Sequence, residues 1–222
     1  MLKEKKKSKS RKQSPVRNKI MSKARTLFGK KGYQNTTVRD IAAAYGCEPA
    51  NIYNFFPSKE DILFEILSQE MEAILFAIKP IKTDDQTDPA LQLKLIFECH
   101  GKVTLGKMRT SKVLFDSSLR SLSKKHQRII IEKRDEYDDI LRLVIQRGID
   151  QGVFEKTEVK MASFAIASII ARARVWYKPG GRMTVAEIID VLFLFALKAL
   201  GYKGEHLKSS GLSGIKSGGG SL

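Results

Sequence analysis

Residues 36–63 read TTVRDIAAAYGCEPANIYNFFPSKEDIL. Thr37 and Asp40 stand three apart, the spacing at which an N-cap hydroxyl and a back-reaching carboxylate satisfy each other's backbone amides at a helix start. Val38, Ile41, Ala42 and Tyr45 then recur on one helical face. Gly46 breaks that helix with a residue that tolerates positive φ. Pro49 suits the first turn of a third helix, because its missing N–H would be unpaired there anyway. That helix runs through Ile52 to about Phe55. Pro57 stops it, Ser58 and Asp61 repeat the capping spacing, and a long fourth helix follows. Its inward positions are Ile62, Leu63, Ile66, Leu67, Met71, Ile74 and Leu75.

Upstream, Ile20, Ala24, Leu27 and Phe28 mark one face of a first helix, closed by Gly32. Short helices with a glycine turn before the third read as a helix-turn-helix unit. The small residues Ala42, Ala43 and Ala44 let the third helix cross the second closely. Ile52 and Phe56 anchor the third helix inward and leave Pro49, Ala50, Asn51, Tyr53 and Asn54 facing out. Asn side chains can pair bidentately with adenine, and a tyrosine hydroxyl can reach a phosphate.

Downstream, Pro80 to Pro89 is a polar break. Helical spacing then predicts elements at about 90–105, 110–122, 126–150, 158–176 and 184–200, with no alternating strand pattern of any length. The expected class is all-α. The expected domain plan is a disordered basic tail at 1–13, a DNA-binding domain at 14–74, a second helical domain at 75–202 and a Gly/Ser/Lys-rich flexible tail at 203–222.

The charge is uneven. The 222 residues carry a net +16, and residues 1–31 hold 13 cations against Glu4 alone, a net +12. The other 191 residues carry only +4. An excess this concentrated calls for a polyanion at the N-terminal end. The tail reads either as a solvated, solubilising arm or as an added electrostatic grip on DNA. The apolar runs Met161–Ala171 and Val191–Leu197 fall short of the roughly 20 residues of a membrane span. Two cysteines, Cys47 and Cys99, are too few for a disulfide framework. A soluble cytoplasmic protein with no membrane partner is expected. His100, His126 and His206 have no metal-ligand spacing, and no phosphate loop or nucleophile motif occurs, so neither an enzyme nor a cofactor is expected.

The 36–63 stretch resembles the DNA-binding domain of the TetR family of bacterial transcriptional repressors. Positions 37–38, 41–42, 46, 52–53, 56 and 58–60 match the family pattern. The resemblance implies phosphate contacts from Thr37, Tyr53 and Lys59. It places Arg39, Pro49, Ala50, Asn51 and Asn54 at base-reading positions. Phe55 lies either near the sugar-phosphate backbone or in the core. Cys47 and Glu48 depart from the commoner Val and Ser. Cys47 reads as a small core residue. Glu48 reads as a carboxylate at a helix N-terminus or as an acceptor for a cytosine amine.

The resemblance also implies that the second domain binds an effector and a second copy of the chain. The last helix is apolar nearly all round, and Met161 to Ala173 is rich in Ala and Ser, so the pair reads as half of a four-helix dimer interface. The alternative is a core pair within one chain. RGIDQGVF at 147–154 and Val175–Thr184 resemble TetR-family regulators of fatty-acid, steroid and aromatic-acid degradation, several of which bind acyl-CoA thioesters. Phe97, Leu114, Phe115, Leu119, Ile130 and Tyr137 are the candidate effector-pocket residues. Arg109, Lys112, Arg120, Lys124, Lys125 and Arg128 are either phosphate partners or a solvated face. The expected function is a dimeric, ligand-released repressor on a palindromic operator. The alternatives are an activator, a nonspecific architectural DNA binder, or a repressor of an efflux system responding to hydrophobic drugs.

Overall fold

The computed structural model describes residues 15–106, 119–202 and 204. Among these are eight α-helices and two short 3-10 turns, with no strand. The helices are α1 Pro15–Lys31, α2 Val38–Tyr45, α3 Pro49–Tyr53, α4 Lys59–Ile78, α5 Pro89–Leu105, α6 Lys124–Asp150, α7 Val159–Trp176 and α8 Val185–Ala199. Residues 1–14, Leu114, Phe115, Arg109, Lys112 and most of the expected 110–122 helix lie outside the described residues. Residues 119–121 form a 3-10 turn.

The described residues divide into two compact units: 15–73 with 119–134, and 74–106 with 135–202. Sequence reading alone assigns 75–202, and with it 119–134, to the second domain. Leu122 and Ile130 instead join the core made by α1 to α4, and Leu119 packs against it. Helical periodicity marks a residue as inward but does not name the core it enters.

In the first unit Ile20, Met21, Ala24 and Phe28 of α1 meet Ile41, Ile52, Phe56, Ile62 and Leu63, all essentially excluded from water. The Thr37 capping box is complete. Its Oγ1 accepts from the Asp40 amide at 3.1 Å, and Asp40 Oδ2 accepts from the Thr37 amide at 2.8 Å. Gly46 closes α2 at φ 87°, in the left-handed region, and its amide donates to the Ala42 carbonyl at 2.8 Å. Of the three alanines, Ala42 alone is buried, whereas Ala43 and Ala44 are exposed. One small residue therefore suffices for the crossing, because α3 has only five residues.

In the second unit α5 packs against both α7 and α8. A Cβ at Gly101 would lie 2.5 Å from Ile189 Cγ1, so glycine sets the close approach of α5 to α8. Asp88, Glu158 and Thr184 cap α5, α7 and α8 through their side chains. Phe97 meets the Phe193 ring edge-on at 5.6 Å. A polar group is buried beside them: His100, Thr104 and Arg174 are all at most 6% exposed. His100 Nδ1 is 2.9 Å from the buried Tyr137 hydroxyl, and Arg174 donates to Thr104. Burial, reinforced by the Arg174 charge, holds the His100 imidazole neutral down to about 3.

Candidate nucleic-acid interface

The reading face is built from α2, α3 and the start of α4. Ile52 and Phe56 are buried, and Phe56 donates its amide to the Ile52 carbonyl at 2.9 Å, which locks the exit from α3. With the inward side spent on the core, Thr37, Arg39, Ala50, Asn51, Tyr53 and Asn54 are exposed, and Pro49 is half-buried. Tyr53 is 54% exposed, unusual for so large a ring. Thr37, Asn51, Tyr53 and Asn54 bring exposed hydrogen-bonding groups and Arg39 a guanidinium, the chemistry that base edges and phosphates require.

Two of the expected contact residues are also held by the protein. Phe55 is half-buried against the first core. Lys59 donates from Nζ to the Tyr33 carbonyl at 2.9 Å and lies 4.3 Å over the Tyr33 ring. Partial burial pushes its ammonium below the ordinary lysine value. An ammonium has three donors, so this bond leaves capacity for a phosphate. Thr37 divides its hydroxyl between Asp40 Oδ2 and the Asp40 amide. Asp40 is held down to about 2, first by the Thr37 amide, then by the Thr37 hydroxyl and the Lys31 ammonium. Glu48 occupies the N-cap of α3 but makes no side-chain cap bond, and Cys47 packs partly against the core.

Sequence reading counts Arg17 only as one of many N-terminal cations. In the structure its guanidinium donates to both carboxylate oxygens of Glu65 and to the Phe55 carbonyl, and lies 4.1 Å over the Phe56 ring. It thus ties α1, the end of α3 and α4 together. Spacings of 38 and 48 residues carry no local signal, so nothing in the sequence marks it out. A second set of ties is equally nonlocal. Glu60 accepts from the Ser123 amide at 2.8 Å and pairs with His126 Nδ1 at 2.7 Å, while the His126 ring stacks on Phe64 at 3.9 Å. Those contacts hold the first turns of α6 on α4 within the first unit.

Four of the six effector-pocket candidates lie among the described residues. Phe97 and Tyr137 are buried in the second unit, Leu119 and Ile130 belong to the core of the first, and Leu114 and Phe115 lie outside the described residues. Arg120, Lys124, Lys125 and Arg128 are exposed, and Arg128 pairs with Glu132. A different surface is prominent. Met161, Phe164, Ile169 and Trp176 on α7, with Val191 and Phe195 on α8, are between 36% and 65% exposed and recur at helical spacing. Tyr177, by contrast, packs beside Leu105, Ala173 and Ile188. Among the described residues no cluster of His, Cys, Asp or Glu could hold a metal, and no helix is long and apolar enough to cross a membrane.

Known proteins share this architecture. Residues 20–66 match the model of "Bacterial regulatory proteins, tetR family", and residues 86–200 match "Tetracyclin repressor-like, C-terminal domain". The HTH-type transcriptional repressor KstR2 of Rhodococcus jostii strain RHA1 is 25% identical over 186 residues, 83% of this chain and 90% of its own. The TetR family transcriptional regulator PfmR of Thermus thermophilus superposes with a TM-score of 0.73 at 29% identity. That match covers 81% of this chain and 97% of PfmR. AibR, solved with isovaleryl coenzyme A and operator DNA, shares the fold with a TM-score of 0.70 at 21% identity, over the same shares of the two chains. Two models that together span the reading unit and most of the helical region beyond it leave one assignment: the chain belongs to the tetR family of bacterial regulatory proteins, DNA-binding regulators and not enzymes.

Proposed function

We propose that the chain is a ligand-released repressor that binds a palindromic operator as a homodimer. The observation that carries this reading is the exposed face of Arg39, Asn51, Tyr53 and Asn54 on short helices whose inward sides are fully buried. Arg39 and the outer residues of α3, Pro49, Ala50, Asn51 and Asn54, read base edges. Thr37, Tyr53, Phe55 and Lys59 meet the sugar-phosphate backbone. The exposed apolar stripe of α7 and α8 supplies the dimer face, since a set of large side chains left open on adjacent helices is a surface to be covered. A dimer presents two α3 helices to half-sites about one DNA turn, roughly 10 base pairs, apart.

The effector reading is a hydrophobic small molecule of the acyl-CoA class. Phe97 and Tyr137 are the proposed contacts in the described part of the second unit, with Leu114 and Phe115 as further candidates. The polar group of His100, Thr104 and Arg174 beside them suits a ligand with a polar function on an apolar body. AibR, which shares the fold, was solved with both an acyl-CoA and operator DNA, which favours this class. Release requires only that the ligand prefer the conformation that does not fit DNA; a preference of about 100-fold, near 2.7 kcal/mol, makes a useful switch.

Footprinting on DNA fragments selected by the purified full chain tests the proposal. A short palindromic footprint lost on adding isovaleryl-CoA or a longer acyl-CoA is the expected result. Extended, sequence-indifferent protection would replace the repressor with an architectural protein. Release by hydrophobic drugs but not by acyl-CoA would move the effector to the efflux class, and tighter binding with ligand would reverse the sign of control.

A further inference from the structure

Residues 32–37 make a tight turn into α2. Thr36 is fully buried there; its amide donates to the Tyr33 carbonyl at 3.2 Å and its hydroxyl to the Gly32 carbonyl at 2.8 Å. Gln34, exposed on the same turn, donates from Nε2 to Ser121 Oγ at 3.2 Å, and Thr37 follows three residues on. Lys59 opens α4 and donates to the Tyr33 carbonyl of this turn at 2.9 Å. The next residue, Glu60, accepts from the Ser123 amide at 2.8 Å and from His126 Nδ1 at 2.7 Å. The His126 ring lies flat on Phe64, with planes within 8° of each other. Leu122 is buried in the first core and Leu119 packs against it. One segment, residues 119–126, therefore holds both the turn that ends at Thr37 and the turn that begins at Lys59.

We propose that Ser121, Ser123 and His126 are positioning residues for DNA binding: through Gln34 and Glu60 they fix the phosphate contacts of Thr37 and Lys59 without touching DNA. This rests on the DNA-binding reading above and deepens it. Charge argues for it. A carboxylate beside a phosphate contact repels the duplex, so Glu60 weakens binding unless its bonds give something back. Those bonds keep it ionised: the Ser123 amide, with help from the Ser123 hydroxyl and His126, holds it below the ordinary glutamate value against partial burial. An ionised carboxylate only accepts, so His126 carries its proton on Nδ1 and donates. The gain lies in Lys59. Its ammonium sits on a flexible stem, and a fixed first turn together with the Tyr33 carbonyl leaves it fewer conformations to give up on meeting a phosphate.

The test measures binding of the full chain and its variants to a random-sequence duplex of about 40 base pairs, by fluorescence anisotropy between about 50 and 200 mM salt. Helical circular dichroism checks that each variant folds. Glu60→Ala removes a negative charge, so charge alone would tighten binding; weaker binding is expected. Losing the Lys59 contact on both protomers makes the slope of log K against log salt shallower by about 2. The loss of affinity is then about tenfold greater at the low end of this salt range than at the high end. Glu60→Gln keeps the acceptor and should restore most of the slope. His126→Phe keeps the stack on Phe64 but not the hydrogen bond, and should move the slope in the same direction as Glu60→Ala. Ser121→Ala acts on the uncharged Thr37 and should weaken binding about threefold at every salt concentration. In a Lys59→Gln background, Glu60→Ala should change the slope no further. A wild-type slope in both Glu60→Ala and His126→Phe would overturn the positioning role, even if stability fell. Equal effects of Glu60→Gln and Glu60→Ala would overturn it in favour of charge alone, and unchanged binding in Ser121→Ala would overturn the Thr37 arm. Should Glu60→Ala fail to fold, Glu60→Gln and His126→Phe still decide. Should the wild type select no palindrome, the repressor reading would fail while these slopes still decided the positioning role.

Discussion

Arg17→Met should loosen the reading helix without touching its outward face. The guanidinium is bound to both Glu65 oxygens and to the Phe55 carbonyl, and the two side chains of the ion pair are only 13% and 18% exposed. Breaking a buried pair from one side costs about 3–5 kcal/mol, because the surviving charge is left desolvated. Partial exposure screens this pair, so the ionic part is expected at about 2 kcal/mol. The lost bond to Phe55 adds about 1 kcal/mol. The lost cation–π contact with Phe56 adds about 0.5 kcal/mol. Met retains most of the apolar stem, so packing loss is small. The total is about 3–4 kcal/mol. Adding Glu65→Met removes the stranded carboxylate, and the double variant should be less damaged than the sum of the singles by about 2 kcal/mol. Urea unfolding at one fixed protomer concentration measures the cycle, because the stability of a dimer depends on concentration. Operator affinity should fall in Arg17→Met by more than the lost charge explains. Single costs that add to within about 0.5 kcal/mol would refute the claim that the Arg17–Glu65 pair is a coupled tie between α1 and α4.

Gly46→Ala meets no neighbouring atom within 4 Å, so its cost is the left-handed backbone alone, about 1–2 kcal/mol in urea unfolding. A neutral result would mean that the α2–α3 turn relaxes freely. His100 has a folded-state value of about 3 against 6.5 for the free side chain, so the unfolded state binds the extra proton between those values. Stability should therefore be fully present above about pH 6.5 and decline as pH falls toward 3, a loss that His100→Gln should flatten when urea midpoints are compared at neutral and mildly acidic pH. Phe195→Asp puts a charge on a side chain 62% exposed in one chain, and should leave the fold intact while sedimentation shows monomers and operator binding is lost. A persisting dimer would locate the interface elsewhere. Arg39→Ala should reduce discrimination between the operator and a mismatched site by about 1–3 kcal/mol in competition binding, where a phosphate contact would weaken both equally.

Much of the reading head is legible because its signals are local. Thr37 with Asp40, Gly46, and Pro49 at the first turn of α3 each act within four residues, and each takes the expected conformation. Thr184 with Glu187 does the same for α8. Outward residues of α3 could be named because two anchors, Ile52 and Phe56, leave the rest of a five-residue helix facing away. Ala43 and Ala44 were beyond this logic, since composition permits a close crossing but does not say which alanine makes it.

The positions of the described α-helices, their order and the outward identity of α3 were legible in the sequence alone, because capping, turn chemistry and periodicity are properties of neighbours along the chain. Tertiary structure alone decided that Leu119, Leu122 and Ile130 enter the first core while Phe97 and Tyr137 enter the second. It alone turned Arg17 from one of thirteen N-terminal charges into the tie between α1, α3 and α4. It also buried His100 and Arg174 while leaving Phe195 and Trp176 open. The physical reason is common to these cases. An apolar or charged side chain is selected by what it meets across dozens of residues, and the free energy of that meeting depends on burial and geometry that no local pattern encodes.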